Sequence, residues 1–415
     1  MENMNFSKKL LLGLQHVLAM FGATVLVPFL TGLDPAIALL GAGVGTLLFH
    51  VCAQGKVPVF LGSSFAFIGA IATTLTGQGL GAVKGGIISA GIVYMLMAVI
   101  IYFVGVESVK SFFPPIVTGP IIMVIGLRLS PVAIGMAFYT SAEDGSSVFN
   151  IQSAIIASIV ILTMIIVSIF LHGFFKLVPI LISITVGYIV SIFFNLVDFT
   201  QIGAANWFTF APGSAAAESL FTVPTFTITA IVAIAPIALV VFIEHIGDIT
   251  TNGAVVGKNF LEDPGVHRTI LGDGVATLFA GLIGAPANTT YSENTGVLAV
   301  TKVYDPSIIR LAAVLAIALS LIGKFAAVIR TIPLPVMGGV SVILFGMIAS
   351  VGVRIVVSAA LDFSHSRNLM ISALILVLGI GVDAFPIGST GVTISGLAIA
   401  ALVGVILNKV LPSEI

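Results

Sequence analysis

Apolar stretches long enough to cross a lipid bilayer recur along almost the whole of this chain, and that recurrence leaves it few folds. A spanning helix needs about 20 apolar residues, and about fourteen such candidates can be read. They lie near 9–31, 34–52, 58–76, 85–106, 113–136, 151–171, 174–196, 224–246, 266–283, 286–301, 307–326, 332–353, 366–383 and 388–408. Of the 415 residues 58% are hydrophobic and 8% charged, whereas a soluble globular chain carries about 25% charged residues. A soluble body of this length could not bury so much apolar surface and still cover itself with polar groups. The chain therefore reads as an all-α polytopic membrane protein with the lipid bilayer as its solvent. The first segment has no small-residue cleavage site and carries Gln15 and His16 midway, unlike a cleaved signal peptide. Its single cysteine, Cys52, rules out an intrachain disulfide. A net charge of −1 argues against nucleic acid as a partner.

Charge asymmetry between alternate loops sets orientation. With the N-terminus in the cytoplasm, the inside holds Lys8, Lys9, Lys56, Lys110, Lys176, Lys258, Arg268, Lys302, Arg310, Arg354, Arg367 and Lys409. The outside holds only Lys84, Arg128, Lys324 and Arg330 of the 16 Lys and Arg residues. The long stretch 197–223 has Asp198 and Glu218 but no Lys or Arg, as an external loop should. Both termini are thus expected inside, and the number of spans even.

Two landmarks occur twice. Gln15-His16 in the first segment is answered by Glu244-His245 in the eighth. Ser63-Ser64-Phe65-Ala66 begins 47 residues after His16, and Thr289-Thr290-Tyr291-Ser292 begins 44 residues after His245. Each run reads hydroxyl, hydroxyl, aromatic, small. A duplication displaced by seven spans, an odd number, puts the two halves in the membrane with opposite orientations, the inverted-repeat plan of many secondary transporters. The two short, polar segments fit this plan. Pro58 precedes Gly62-Ser63-Ser64-Phe65, and Ala285-Pro286-Ala287-Asn288 leads into Thr289-Thr290-Tyr291-Ser292. Pro, Asn, Ser and Thr in succession favour extended backbone over helix. Extended backbone survives in a bilayer only where protein or a cavity satisfies it. Short extended pieces near 61–66 and 286–292 are therefore expected to pair at mid-membrane. Each would feed a half-helix whose N-terminal amides suit a carbonyl oxygen or an anionic group.

Carboxylates at bilayer depth cost about 2.5–3.5 kcal/mol or more and mark function by default. The candidates are Glu244, Asp248 and Glu293, with His16 and His245 beside them. Glu244 and Asp248 are four apart and share a helix face, Asp248 one turn nearer the cytoplasm. Glu293 opens the half-helix after the second extended piece. A carboxylate there can accept N–H groups from a solute and can also carry a proton. Glu244-His245 is alternatively a structural pair, and since adjacent helical residues face different ways His245 need not point where Glu244 does. Gln15 and His16 are expected to satisfy amides freed by the breaks, with Ser64 and Tyr291 supporting. Glu244, Asp248 and His245 lack zinc-helix spacing and no cysteine joins them, so no metal is expected.

Glu293-Asn294-Thr295-Gly296, then four residues, then Thr301-Lys302, resembles the signature of the nucleobase–ascorbate transporter (nucleobase:cation symporter) family, Gln/Glu-Asn-x-Gly-x4-Thr-Arg/Lys/Gly. Gln15-His16, the run Gly22-Ala23-Thr24-Val25-Leu26-Val27-Pro28 and Gly62-Ser63-Ser64-Phe65-Ala66-Phe67 are also similar to that family. Within it the nearest resemblance is to bacterial uracil carriers, and it covers the chain in length, landmark order and helix count. The resemblance implies fourteen segments in two inverted repeats of seven. A core domain would come from 1–106 (segments one to four) and 224–328 (eight to eleven). A gate domain would come from 107–223 (five to seven) and 329–415 (twelve to fourteen). Residue by residue, Glu244 and Glu293 match the carboxylates that bind uracil. Phe65 and Ser292 match the positions whose backbone amides meet its oxygens, although Ser292 stands where Gly is common. Asp248 matches a position often occupied by a histidine implicated in proton coupling. The proton would sit near Glu244, shared with Asp248 or His245.

Chemistry points the same way. Uracil offers two N–H donors and two carbonyl acceptors, which two carboxylates and two backbone amides complement. Purine and ascorbate carriers of the family usually have Gln where this chain has Glu293, and sites built around N–H groups reject ligands that leave buried polar atoms unpaired. The expectation is uracil–proton symport by alternating access in the bacterial cytoplasmic membrane, by a homodimer and without a cofactor. Symport of xanthine or another nucleobase, and anion exchange on a related fold, stay open. No nucleophile or cofactor motif suggests an enzyme.

Overall fold

The computed structural model describes residues 5–105, 107–108, 111–141, 146–382, 384–386 and 393–412. Lys110, counted above among the inner charges, lies outside them, as do residue 106 at one expected domain boundary and 388–392 at the start of the last expected segment. Among the described residues fourteen principal helices follow the order expected from hydropathy. They are α1 (Phe6–Thr31), α2 (Pro35–Cys52), α3 (Ile68–Gln78), α4 (Leu80–Val104), α5 (Pro115–Phe138), α6 (Ile151–Phe170) and α7 (Pro179–Phe193) in the first half. The second half holds α8 (Ile237–Val256), α9 (Val266–Ile283), α10 (Ser292–Thr301), α11 (Pro306–Ser320), α12 (Leu334–Ser358), α13 (Ser366–Gly381) and α14 (Gly396–Val410). Seven described stretches are long and apolar enough to span a membrane: α1, α2, α4, α5, α6, α12 and the run Ile228–Val256 that contains α8.

Local chemistry starts these helices. Pro35, Pro115, Pro179 and Pro306 occupy first-turn positions of α2, α5, α7 and α11, where a missing N–H breaks no helical bond. The Asp34 carboxylate accepts from the N–H groups of Ala36 (2.8 Å) and Ile37 (3.2 Å) and caps α2. Asn150, Asp305 and Ser395 cap α6, α11 and α14 in the same way.

Among the described residues six short strands complete the fold: β1 (Leu61–Ser63), β2 (Tyr139–Ser141), β3 (Ser147–Phe149), β4 (Asn288–Thr290), β5 (Ala384–Pro386) and β6 (Thr393–Ser395). β2 with β3, and β5 with β6, form hairpins between successive helices. The second hairpin takes residues that hydropathy had assigned to the last segment, so α14 begins at Gly396. β1 and β4 pair with each other across the repeat, antiparallel, and every residue of both is buried.

Helix neighbours repeat under a shift of seven. α4 packs on α9 as α11 packs on α2, and α1 on α11 as α8 on α4. The pairs α6–α12 and α6–α7 have α13–α5 and α13–α14 as counterparts, while α5–α12 and α2–α9 map onto themselves. Such pairing is what a two-fold axis in the membrane plane produces. It also sorts the helices into α1–α4 with α8–α11 and α5–α7 with α12–α14. The two sets meet through α1 with α7 and, symmetrically, α8 with α14.

The connection from α7 to α8 is not a loose loop. It carries short helices Phe199–Ala204 and Ala215–Phe221, and two lysines from the α1–α4/α8–α11 side bind their C-terminal ends. Lys84, wholly buried in α4, donates to the carbonyls of Ser219 (3.0 Å) and Thr222 (2.6 Å). Lys324 donates to those of Ile202 and Gly203, both at 2.7 Å. An ammonium at a helix C-terminus meets the negative end of its dipole. Lys84 and Lys324, read from sequence as outer-loop charges, thus anchor this segment.

Candidate functional site

The site grows out of the β1–β4 pair. Leu61, Gly62 and Ser63 face Thr290, Thr289 and Asn288. The ladder is closed at one end by the Tyr291 N–H on the Phe60 carbonyl (3.0 Å) and at the other by the Ser64 N–H on the Ala287 carbonyl (2.9 Å). Gly62 is required here. A Cβ on it would lie 2.3 Å from the Tyr291 ring and 2.8 Å from Thr24 Oγ1. Beyond the strands the chain turns helical at once, through the 3₁₀ turn Phe65–Phe67 into α3 and directly into α10 at Ser292. Phe65 and Ser292 are first residues of their helical turns, where N–H groups have no intrahelical partner.

Acidic side chains gather beside these ends. Asp248 accepts hydrogen bonds from the hydroxyls of Thr290 (2.7 Å) and Ser292 (2.6 Å), which ties α8 to the start of α10. Glu244, one turn earlier, stands within electrostatic reach of Asp248 and Glu293. Among the described residues neither Glu244 nor Glu293 is hydrogen-bonded to another residue. Both are half-buried. Gly247 and Thr251, on the same face of α8, are exposed, so neighbouring helices do not seal that face. The expected substrate set of Phe65, Glu244, Ser292 and Glu293 therefore converges on the strand pair, with Asp248 beside it.

The supporting residues divide. His16 is buried and tied to the signature asparagine: the Asn294 amide lies 3.1 Å from His16 Nδ1 and donates to the His16 carbonyl at 3.0 Å. Tyr291 donates its hydroxyl to the Ser63 carbonyl (2.8 Å) and so staples one strand across the other. Gln15 Oε1 and Ser64 Oγ are buried without a protein partner. His245 points into α9, toward Asp273 and Thr269. Its Nδ1 lies 2.8 Å from Asp273 Oδ2 and its Nε2 2.9 Å from Thr269 Oγ1, and all three residues are wholly buried.

Asp273 corrects the sequence reading, which named three acids at membrane depth and omitted this one. The signal was available, because Asp273 sits between Gly272 and Gly274 in the middle of the ninth apolar segment. The partnership with His245, 28 residues earlier, is a tertiary contact and left no trace in spacing.

A cavity of about 380 Å³ opens beside Phe65, between α3, α5 and α14. It is lined by Phe65, Gly69, Thr73, Arg128, Ile237 and Ser395, among others. Arg128, without a role in the sequence reading, donates there to the carbonyls of Gly379 (3.0 Å) and Val382 (2.8 Å) at the end of α13. The Phe65 ring meets Phe345 of α12 edge-on, centroids 6.2 Å apart, so the site touches both helix sets.

Residues 7–388 match a family model described as the permease family (Xan_ur_permease). Over 409 residues the chain is 44% identical to the uracil permease of Bacillus caldolyticus, covering 97% of this chain and 92% of that protein. It is 42% identical over 403 residues to the uracil permease of Bacillus subtilis, covering 96% and 91%. Among solved structures, the transmembrane domain of the cyanobacterial bicarbonate transporter BicA superposes with a TM-score of 0.63 over 99% of this chain and 98% of that one, at 16% identity. That likeness concerns the fold, two inverted repeats forming a core and a gate. The resemblance read from the signature around Glu293 thus holds along nearly the whole chain, which belongs to the permease family of multi-pass membrane transporters.

Proposed function

We propose that this protein carries uracil across the bacterial cytoplasmic membrane together with a proton. The observation that carries the proposal is the pair Glu244 and Glu293, both half-buried and neither bonded to another described residue, set against two helix ends with free N–H groups. In this reading the two carboxylates accept the N–H groups of uracil, and the amides of Phe65 and Ser292 meet its carbonyl oxygens. Relatives named uracil permease at 44% and 42% identity support the choice of base. The proton is held within the cluster of Glu244, Asp248 and Glu293, since interacting carboxylates exchange protons as a set. His245, bonded to Asp273 and Thr269, acts on this cluster from behind α8.

For alternating access, the core (1–106 and 224–328, joined by the stretch 199–222) moves against the gate (the remainder of 107–223, and 329–415), with both termini cytoplasmic and gate domains pairing in a homodimer. The lysine-anchored stretch 199–222 rides with the core, which puts the moving boundary at 194–198. Anion exchange is the second reading, favoured by the fold shared with BicA. An anion site calls for cations or empty positive helix ends, and acids beside the strand pair oppose it.

Calorimetric titration of the purified protein with uracil, xanthine, ascorbate and bicarbonate tests the proposal. Uracil is expected to bind, and Glu244→Ala and Glu293→Ala each to abolish binding while the protein still reaches the membrane. Uracil binding by either variant at wild-type affinity contradicts the site. Bicarbonate binding without uracil binding favours the second reading.

A further inference from the structure

A two-stranded sheet has two open edges, and here both lie where no bulk water can reach. The ladder bonds at Phe60/Tyr291 and Ser64/Ala287 fix the phase of β1 and β4. Hydrogen-bonded pairs alternate along an antiparallel ladder, so Gly62 and Thr289 face each other in the bonded phase. The N–H and C=O groups of Leu61 and Ser63 on one strand, and of Asn288 and Thr290 on the other, therefore point outward. An outward group at this depth needs a partner from the protein.

One threonine hydroxyl serves the first residue of each strand, and on the β1 edge the Tyr291 hydroxyl takes the Ser63 carbonyl as well. The Leu61 N–H donates to Thr46 Oγ1 at 2.9 Å, and that hydroxyl lies 3.4 Å from the Leu61 carbonyl it faces. The Asn288 N–H donates to Thr277 Oγ1 at 3.3 Å, and that hydroxyl donates to the Asn288 carbonyl at 3.2 Å. Both threonines are wholly buried. They stand on α2 and α9, counterparts under the seven-helix shift, and they hold the first residues of the counterpart strands. A hydroxyl can accept and donate at once, so each threonine does for one residue what a third strand would do.

We propose that Thr46 and Thr277 are positioning residues for substrate binding, which fix β1 and β4 to the packed α2–α9 pair and thereby set where the Phe65 and Ser292 amides and the Glu293 carboxylate stand. The inference rests on the uracil-site reading given above. β1 leads within two residues to Phe65, and β4 within three to Glu293. A strand of three residues has little ladder of its own to resist slipping, and binding groups displaced by a fraction of an ångström lose much of their effect. Valine has the shape of threonine without the hydroxyl, whereas serine keeps the hydroxyl.

The test is uracil transport by reconstituted, monodisperse protein carrying Thr46→Val, Thr277→Val, Thr46→Ser or Thr277→Ser. Each valine variant is expected to raise KM for uracil about tenfold or more, and each serine variant to restore it to within about twofold. A purely structural role predicts another pattern: less active protein, hence lower maximal rate, with KM unchanged. That pattern, or serine variants no better than valine, overturns the proposal. Thr277→Val, on the strand with the longer bonds, supplies the reading if Thr46→Val is not recovered as folded protein. Glu293→Ala is measured alongside. If it transports normally the site reading itself fails. If it is inactive while the valine variants keep the wild-type KM, only the positioning role fails.

Discussion

At the scale of residues, the separation of tasks between Glu244 and Asp248 follows from their partners. Asp248 spends its oxygens on Thr290 and Ser292, whereas Glu244 and Glu293, half-buried, have no hydrogen-bond partner among the described residues. Asp248→Asn keeps an acceptor and the side-chain shape but cannot bind and release a proton. Uracil affinity should therefore stay within about threefold, while accumulation driven by a pH gradient falls to simple equilibration. Uracil titration and gradient-driven uptake on the same preparation check this. Retained gradient-driven accumulation would give the proton to another residue. The i, i+4 spacing of Glu244 and Asp248 made their shared face readable from sequence, and the turn of adjacent residues left the direction of His245 open. Where His245 looks was not readable, because Asp273 and Thr269 reach it only through the packing of α9 on α8.

At the scale of elements, the strand pair explains why two segments looked too short and polar to span. Pro58 and Pro286 ahead of runs of Ser, Thr and Asn signalled extended chain. Repetition of the landmarks signalled that the two pieces belong together. Register and edges were not legible, because nothing in the sequence links Thr46 on α2 or Thr277 on α9 to a strand that reaches it only on folding. Gly62 shows how little room the pairing leaves. Gly62→Ala places a methyl 2.3 Å from the Tyr291 ring, and Tyr291 is itself held by its bond to the Ser63 carbonyl. Overpacking of this kind costs about 1–3 kcal/mol, so the variant should show a lowered melting temperature together with weakened uracil binding. An unchanged melting temperature would mean that the aromatic ring swings aside freely. The anchored stretch between α7 and α8 gave no such signal. A lysine that binds helix ends more than 100 residues away reads in sequence as a loop charge.

At the scale of the whole molecule, the seven-helix shift orders the packing, and the alternating access proposed above puts movement at the contacts between the two helix sets. One is tight: a Cβ on Gly22 of α1 would lie 2.9 Å from Ile180 Cβ of α7. In a chain whose single cysteine, Cys52, has been replaced, the pair Gly22→Cys and Ile180→Cys needs only a small separation to reach the ~3.8 Å Cβ spacing of a disulfide. Oxidation should stop uracil uptake, leave uracil binding in place, and be reversed by reductant. Undiminished uptake by the cross-linked protein would show that α1 and α7 do not move apart during transport. Fold class, repeat and the order of the segments were legible because hydropathy and landmark spacing are properties of the chain. The anchoring of 199–222 by Lys84 and Lys324 was not, because those lysines meet carbonyls brought to them only by folding.

The most direct measurement is uptake of labelled uracil into proteoliposomes under an imposed pH gradient, alkaline inside. Wild-type protein should accumulate uracil above the external concentration until a protonophore collapses the gradient, and Glu244→Ala and Glu293→Ala should each abolish that accumulation. Accumulation by either variant at the wild-type rate, or uptake by the wild type indifferent to the gradient, would contradict a proton-coupled uracil site built from these acids beside the paired strands.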